Sequence, residues 1–163
     1  VMLMWTDMRC PYCGVFSRKV LPQLMREYVD TGKVRIEVHD VAMFGAKSHT
    51  AAVAAHAAAE QGKFHEYISA LYADAPEKKK PDLPRAKLVA FAKQAGVADM
   101  ARFEEDMDSA ELSAAAKASD GLAQQVGVTS VPFFVVNRIA VAGAQPVYVF
   151  QKLLDEEIAK ADA

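Results

Sequence analysis

MRCPYCGVFS, residues 8–17, holds both cysteines of the chain, two residues apart. Three chemistries compete for such a pair: half of a zinc site, a structural staple, or a redox centre. Zinc needs four ligands in a structural site, and C-x-x-C supplies two. The histidines, His39, His49, His56 and His65, do not show the three-to-five-residue gap common in zinc sites. A staple closing so short a loop removes little entropy from the unfolded chain. The redox reading uses more of the local sequence. Pro11 suits the first turn of a helix, where its missing N–H is no loss. Cys10 then lies at the N-terminal edge of that helix, where unpaired N–H groups and the positive end of the helix dipole favour a thiolate. Arg9 adds a neighbouring positive charge. Cys10 is accordingly expected to be the exposed, acidic thiol and Cys13, one turn inside, the shielded resolving partner.

Outward from this segment the elements fall into a recognisable order. VMLMWT (1–6) is a short continuous apolar run, the pattern of a strand covered on both faces. From Pro11 the apolar positions Val15, Phe16, Val20, Leu21, Leu24, Met25 and Tyr28 recur at helical spacing. Pro22 should kink this helix and Gly32 should end it. KVRIEVHDV (33–41) alternates as a strand, completing a β-α-β unit. From about Lys47 to Gln125 five alanine-rich segments favour helix, with no strand among them. Strands return at VPFFVVN (131–137) and IAVAG (139–143), separated by only Asn137 and Arg138, which suits a tight hairpin. A final helix is expected from about Pro146 to Ala161. The fold class is therefore α/β, with an all-helical insertion between a βαβ half and a ββα half. The domain division expected is 1–45 with 126–163, and an inserted helical domain at 46–125.

Composition excludes several functions. The 163 residues carry a net charge of −2, with 52% hydrophobic and 25% charged residues, and show no nucleic-acid footprint. The basic run Lys78-Lys79-Lys80 sits beside Asp82 between Pro76 and Pro81 and reads as a solvated loop. No apolar run approaches the ~20 residues that span a bilayer. The chain begins on a strand-like pattern at Val1. That start is expected to mark a processing boundary, with any export signal or membrane anchor preceding it.

WTDMRCPYCGVFSRKVLPQL (5–24), the helical insertion, and GVTSVPFFVVN (127–137) followed by VAGAQPVYVFQKLLD (141–155) resemble the DsbA-like thiol–disulfide oxidoreductases. These are thioredoxin-fold proteins of bacterial cell envelopes. The resemblance spans nearly the whole chain. It implies a nucleophilic Cys10, a buried partner Cys13, a cis proline at Pro132 facing the cysteines, and at Val131 a backbone that pairs with substrate peptide. Pro11, Tyr12 and Arg9 support the site. Valine before the cis proline leans toward the oxidants of the family, and Pro-Tyr between the cysteines toward isomerases or glutaredoxins. Several relatives carry a buried acid six residues before the nucleophile; Met4 stands there, which removes that route for a proton. Met8, Tyr12 and Phe44 are candidates for an apolar rim, while His39 and Glu37 read as ordinary polar positions. The implied partners are unfolded or reduced exported proteins, and a membrane quinone-linked thiol oxidase that recharges a monomeric enzyme. No cofactor, metal or nucleic acid is expected. The implied location is periplasm or cell envelope. Isomerase or reductase activity, and a non-catalytic chaperone role, are the alternatives.

Overall fold

The computed structural model describes residues 1–163. Strand β1 (Met2–Thr6) leads to helix α1 (Pro11–Lys19), to a short helix α2 (Leu21–Leu24) that continues as a π-helical turn over Met25–Val29, and to β2 (Ile36–Asp40). Five helices follow: α3 (Ala46–Ala59), α4 (Phe64–Ala73), α5 (Arg85–Gln94), α6 (Met100–Asp106) and α7 (Ala110–Val126). The chain closes with β3 (Phe133–Val136), β4 (Ile139–Ala142) and α8 (Val147–Asp162). The sheet order is β2-β1-β3-β4. β1 runs parallel to β2 and antiparallel to β3, and β3 pairs antiparallel with β4. The βαβ and ββα halves thus share one sheet, with β1 at its centre and the helices of the insertion between them in sequence.

Two expectations shift in detail. Pro22 was expected to bend one continuous helix. The helix instead stops, with Val20 as C-cap, and restarts at Leu21, which puts Pro22 in a first turn where no donor is lost. β2 is shorter than 33–41, because the N–H groups of Lys33 and Val34 both donate to the Tyr28 carbonyl and finish the preceding helix. The hairpin turns through Asn137, at φ 54°, a conformation that asparagine tolerates better than most residues.

The period of two along β1 sorts its side chains between two layers. Met2 and Met4 pack with Phe16, Leu24, Phe134, Phe150 and Leu154 beneath α1, α2 and α8. The rings of Phe16, Phe134 and Phe150 lie 4.5–5.3 Å apart, and burying each contributes about 2–3 kcal/mol. Trp5 turns to the opposite face, against Val41, Ala123 and Val128. The largest cluster belongs to the inserted helices, and it includes Met8, Cys10 and Cys13. Helix α3 is buried on most sides through Ala51, Ala52, Ala54, Ala55, Ala57 and Ala58. Small side chains let α4, α6 and α7 approach it closely, which accounts for the alanine bias.

One ion pair joins the insertion to the sheet. His56 Nε2 of α3 lies 2.9 Å from Oδ1 of the buried Asp40 at the end of β2. That hydrogen bond raises the His56 pKa above its ordinary 6.5 against the opposing effect of burial, with the charges of Asp40 and Glu60 assisting. A raised histidine pKa stabilises the fold fully below the unfolded value, and the contribution disappears as pH climbs through the folded value. Urea unfolding across a pH series should therefore show stability falling from about pH 6.5 upward. His56→Gln should flatten that segment of the curve; an unchanged slope would show that the pair carries no pH-dependent stability.

Candidate functional site

Cys10 is the N-cap residue of α1. Its backbone is extended (φ −79°, ψ 118°), Pro11 begins the helix, and the Cys10 sulfur accepts the Cys13 N–H at 3.2 Å. A cap is normally an oxygen from serine, threonine or aspartate. Here the sulfur holds that place, so the donors of the first turn converge on it. The groups acting on the Cys10 thiol follow from this position. The Cys13 thiol, donating to a Cys10 thiolate, is the strongest influence lowering its pKa, and the backbone N–H groups of Cys13 and Tyr12 assist. Burial and the charge of Asp7 oppose them, and the balance leaves the Cys10 pKa lowered. Cys13 goes the other way. Burial first, then its bond to Cys10 and the Cys10 charge, push its pKa well above the ordinary thiol value.

Exposure does not separate the two thiols as expected: Cys10 is 3% exposed and Cys13 2%. The reason is the segment that leads into β3. The Val131 carbonyl lies 3.6 Å from the Cys10 sulfur and accepts its thiol proton, and the peptide bond from Val131 to the buried Pro132 is cis. Both cysteines are free thiols. The two thiols differ in polarity of surroundings, not in coverage.

The other expected site residues divide. Tyr12, between the cysteines, projects into solvent at 66% exposure. Met8 does not form a rim; at 1% exposure it belongs to the core of the inserted helices, because the segment turns inward at Asp7 before it reaches the cysteines. Phe44 is half-buried against the same core, with the Lys80 ammonium 4.3 Å above its ring. Arg9 does not direct its guanidinium to the sulfur. Nε donates to the Pro81 carbonyl at 2.9 Å and Nη1 to the Phe44 carbonyl at 3.2 Å, so Arg9 ties together the two loops flanking the site. His39 stacks on Trp5 at 5.1 Å and Glu37 pairs with Arg35, both away from the cysteines. No group of three or more His, Cys, Asp or Glu side chains is arranged to hold a metal ion. His49 bonds Ser113, and His65 is exposed.

Three residues escaped the sequence reading. Asp7, fully buried, receives four donors: Arg9 N–H and the Ser48 hydroxyl on Oδ1, and the N–H groups of Met43 and Phe44 on Oδ2. Burial still outweighs these bonds and raises its pKa. The acid missing at Met4 is thus present three residues later, engaged as a hub for the loop into α3. Thr6 and Tyr72 are also buried, with their hydroxyls bonded to each other. The lone acid at the end of an apolar strand was the available signal for Asp7. Nothing in sequence links Tyr72 to the cysteines. In the structure the link runs through the cysteine-bearing helix: Arg18 of α1 donates to the carbonyls of Tyr72 and Ala75. Gly14 permits that approach, since a Cβ there would stand 2.9 Å from the Arg18 guanidinium and 3.2 Å from the Ala75 Cβ.

Comparison with known proteins gives consistent results. The thioredoxin family model matches residues 1–156. The chain is 26% identical over 158 residues to the probable disulfide bond formation protein D of Bacillus cereus, covering 94% of this chain and 72% of that protein. The crystal structure of oxidised BdbD from Bacillus subtilis superposes with a TM-score of 0.89 at 19% identity, covering 97% of this chain and 86% of that one. Wolbachia pipientis alpha-DsbA1 gives 0.84 at 18% identity, covering 98% and 86%.

Proposed function

The chain belongs to the thioredoxin family and is a DsbA-like thiol–disulfide oxidoreductase, and from that premise we propose that it is an extracytoplasmic oxidant of protein thiols working through a Cys10–Cys13 disulfide. The observation that carries the direction is the opposed polarity of the two thiols, Cys10 favoured as thiolate and Cys13 held as thiol. A stabilised thiolate stabilises the reduced enzyme, and a stable reduced form makes the disulfide a strong oxidant.

The cycle follows from the positions. A substrate thiolate attacks the Cys10 sulfur, forming a mixed disulfide and releasing Cys13. The second substrate thiol then attacks its own sulfur in that disulfide, and Cys10 leaves as the thiolate that its cap stabilises. An extended peptide has a backbone to pair with at Val131, beside the sulfur, in the manner of strand addition. Pro132 holds that edge, Pro11 starts the helix, Arg9 braces the flanking loops, and the exposed Tyr12 ring offers an apolar contact. Residues 1–45 and 126–163 form the thioredoxin-like domain of this reading and 46–125 the inserted one. Reduced or unfolded exported proteins are the substrates, and a membrane quinone-linked thiol oxidase recharges the enzyme, which works as a monomer in the periplasm or cell envelope. The relatives' name, disulfide bond formation protein, supports the oxidation of thiols. No helix is long and apolar enough to cross a membrane.

Tyr12 favours the second reading, an isomerase or reductase on the same fold. The reduction potential against glutathione decides between them. An oxidant should lie above about −180 mV, and a value near −270 mV, as in thioredoxin, would assign reductase activity. Val131→Thr adds a hydroxyl to the residue whose carbonyl faces the Cys10 sulfur and should move the potential away from the oxidant range. An unchanged potential and oxidation rate would remove Val131 as a determinant of direction.

A further inference from the structure

The inner side of Cys13 is lined by a short chain of polar groups in an otherwise apolar setting. Thr6, the last residue of β1, and Tyr72, from α4 of the insertion, are each 1% exposed. Their hydroxyls are hydrogen-bonded to one another, and the Tyr72 hydroxyl also lies 3.1 Å from the Asp7 carbonyl. That carbonyl already accepts the Cys10 N–H at 3.0 Å. At Cys13, the Thr6 hydroxyl and the Asp7 N–H are the groups that act against burial to favour the charged form.

Each hydroxyl has one hydrogen to give, so only two arrangements satisfy the chain. In one, Tyr72 donates to the Asp7 carbonyl, Thr6 donates to the Tyr72 oxygen, and Cys13 receives nothing from either. In the other, Tyr72 donates to the Thr6 oxygen and Thr6 donates to the Cys13 sulfur, while the Asp7 carbonyl keeps the Cys10 N–H. Rotation about two C–O bonds interconverts them. No proton is transferred.

The reaction makes opposite demands on Cys13 at its two stages. As a substrate thiolate attacks Cys10, a sulfur–sulfur bond forms between substrate and Cys10, the Cys10–Cys13 bond breaks, and its electron pair passes to the Cys13 sulfur. A charge then develops where burial opposes it, and a better-stabilised leaving thiolate departs faster. Met4, at the position six residues before Cys10, faces the other core and offers nothing. The Asp7 carboxylate is occupied by its four donors. We propose that Thr6 and Tyr72 form a two-hydroxyl switch that turns toward Cys13 as the Cys10–Cys13 bond breaks and stabilises the departing thiolate. In this proposal Thr6 is the donor to the departing sulfur, and Tyr72 is a positioning residue acting through Thr6. The same switch serves the reverse step, in which the Cys13 thiolate attacks a mixed disulfide on Cys10.

The inference rests on Cys10 as the attacked sulfur, and two readouts keep the assignment and the switch apart. In the first, the oxidised protein reacts with glutathione at a fixed thiolate concentration, and the rate is followed by stopped flow. Thr6→Val should react about ten-fold more slowly, the scale of one lost hydrogen bond to a charged group. Tyr72→Phe should lose a few-fold, and Thr6→Ser, which keeps the hydroxyl, should recover most of the rate. In the second, the alkylation midpoint of Cys13 is measured in a Cys10→Ser background. Thr6→Val should move it about one pH unit upward, whichever way the enzyme runs in the cell. Wild-type rates and an unmoved midpoint in Thr6→Val and Tyr72→Phe would overturn the switch. So would a rate for Thr6→Ser as low as that of Thr6→Val, since packing alone would then explain the loss. Should Thr6→Val not fold, Tyr72→Phe against Thr6→Ser decides the matter, because that pair separates the hydroxyl from side-chain volume. The site of the glutathione adduct, read by mass spectrometry, tests the assignment of Cys10 independently.

Discussion

Cys10→Ser is expected to abolish oxidation of a reduced model protein, with a loss on the order of 10³-fold or more, since residues acting as one catalytic unit fail together. Serine keeps the cap: its oxygen accepts the Cys13 N–H as well as sulfur does. The fold should therefore melt within a few degrees of wild type, which separates lost chemistry from lost structure. Cys13→Ala should fail differently. The Cys10 thiolate still engages a disulfide-bearing substrate, but the thiol that releases the mixed disulfide is gone. A covalent adduct should accumulate, stable to denaturing gels and dissolved by dithiothreitol. Removal of the Cys13 thiol also takes away the strongest influence holding the Cys10 pKa down, so the Cys10 alkylation midpoint should rise in that variant. An adduct on Cys13 in Cys10→Ala, with none on Cys10 in Cys13→Ala, would reverse the two roles.

Asp7→Ala should have the largest effect on stability of any single change at the site. It leaves the N–H groups of Arg9, Met43 and Phe44 and the Ser48 hydroxyl without their acceptor. Partial solvation on relaxation limits the total, and a loss of about 3–5 kcal/mol is expected, against a total stability of about 5–15 kcal/mol. For a chain of this size that lowers Tm by about 10 °C. Asp7→Asn keeps the shape but offers one acceptor oxygen for two pairs of donors, and turns its own N–H₂ toward the other pair. It should be only partly better tolerated. The charge works in the opposite sense. Asp7 raises the Cys10 pKa, so Asp7→Asn should lower the alkylation midpoint of Cys10 and make the enzyme more oxidising while less stable. Chemical unfolding and alkylation on the same sample read both. Equal stability in wild type and Asp7→Ala would show that the hub carries no load.

The elements of this fold were readable because local sequence specifies them. Pro11 opens a helix, Asn137 and Arg138 turn a hairpin, the apolar run 1–6 makes a central strand, and alanine with repeated glycine stops marks the insertion. The cysteine pair and Pro132 were readable for the same reason, as short motifs with their chemistry attached. The misses share a different cause. Met8, Arg9, Thr6 and Asp7 all lie within four residues of Cys10, yet their roles depend on distant partners: Phe44 and Pro81 for Arg9, Ser48 and Met43 for Asp7, Tyr72 for Thr6. A basic residue beside a thiol looks electrostatic in sequence. Only the fold shows that its charge is engaged by two loop carbonyls.

The core shared between the inserted helices and the cysteines limits how this chemistry can be transplanted. Cys13, Met8 and Cys10 share a core with residues of α3 to α7, and the floor of the site, Tyr72, is held there by Arg18 reaching across from α1. A chimera carrying residues 8–17 on a bare thioredoxin scaffold would inherit the motif without its floor. Water would reach the inner sulfur, and the contrast between the two thiols would shrink. The helical segment is therefore no detachable lid. It is part of the environment that encloses the two thiols, so the loop and the helices must vary together in any redesign of this protein.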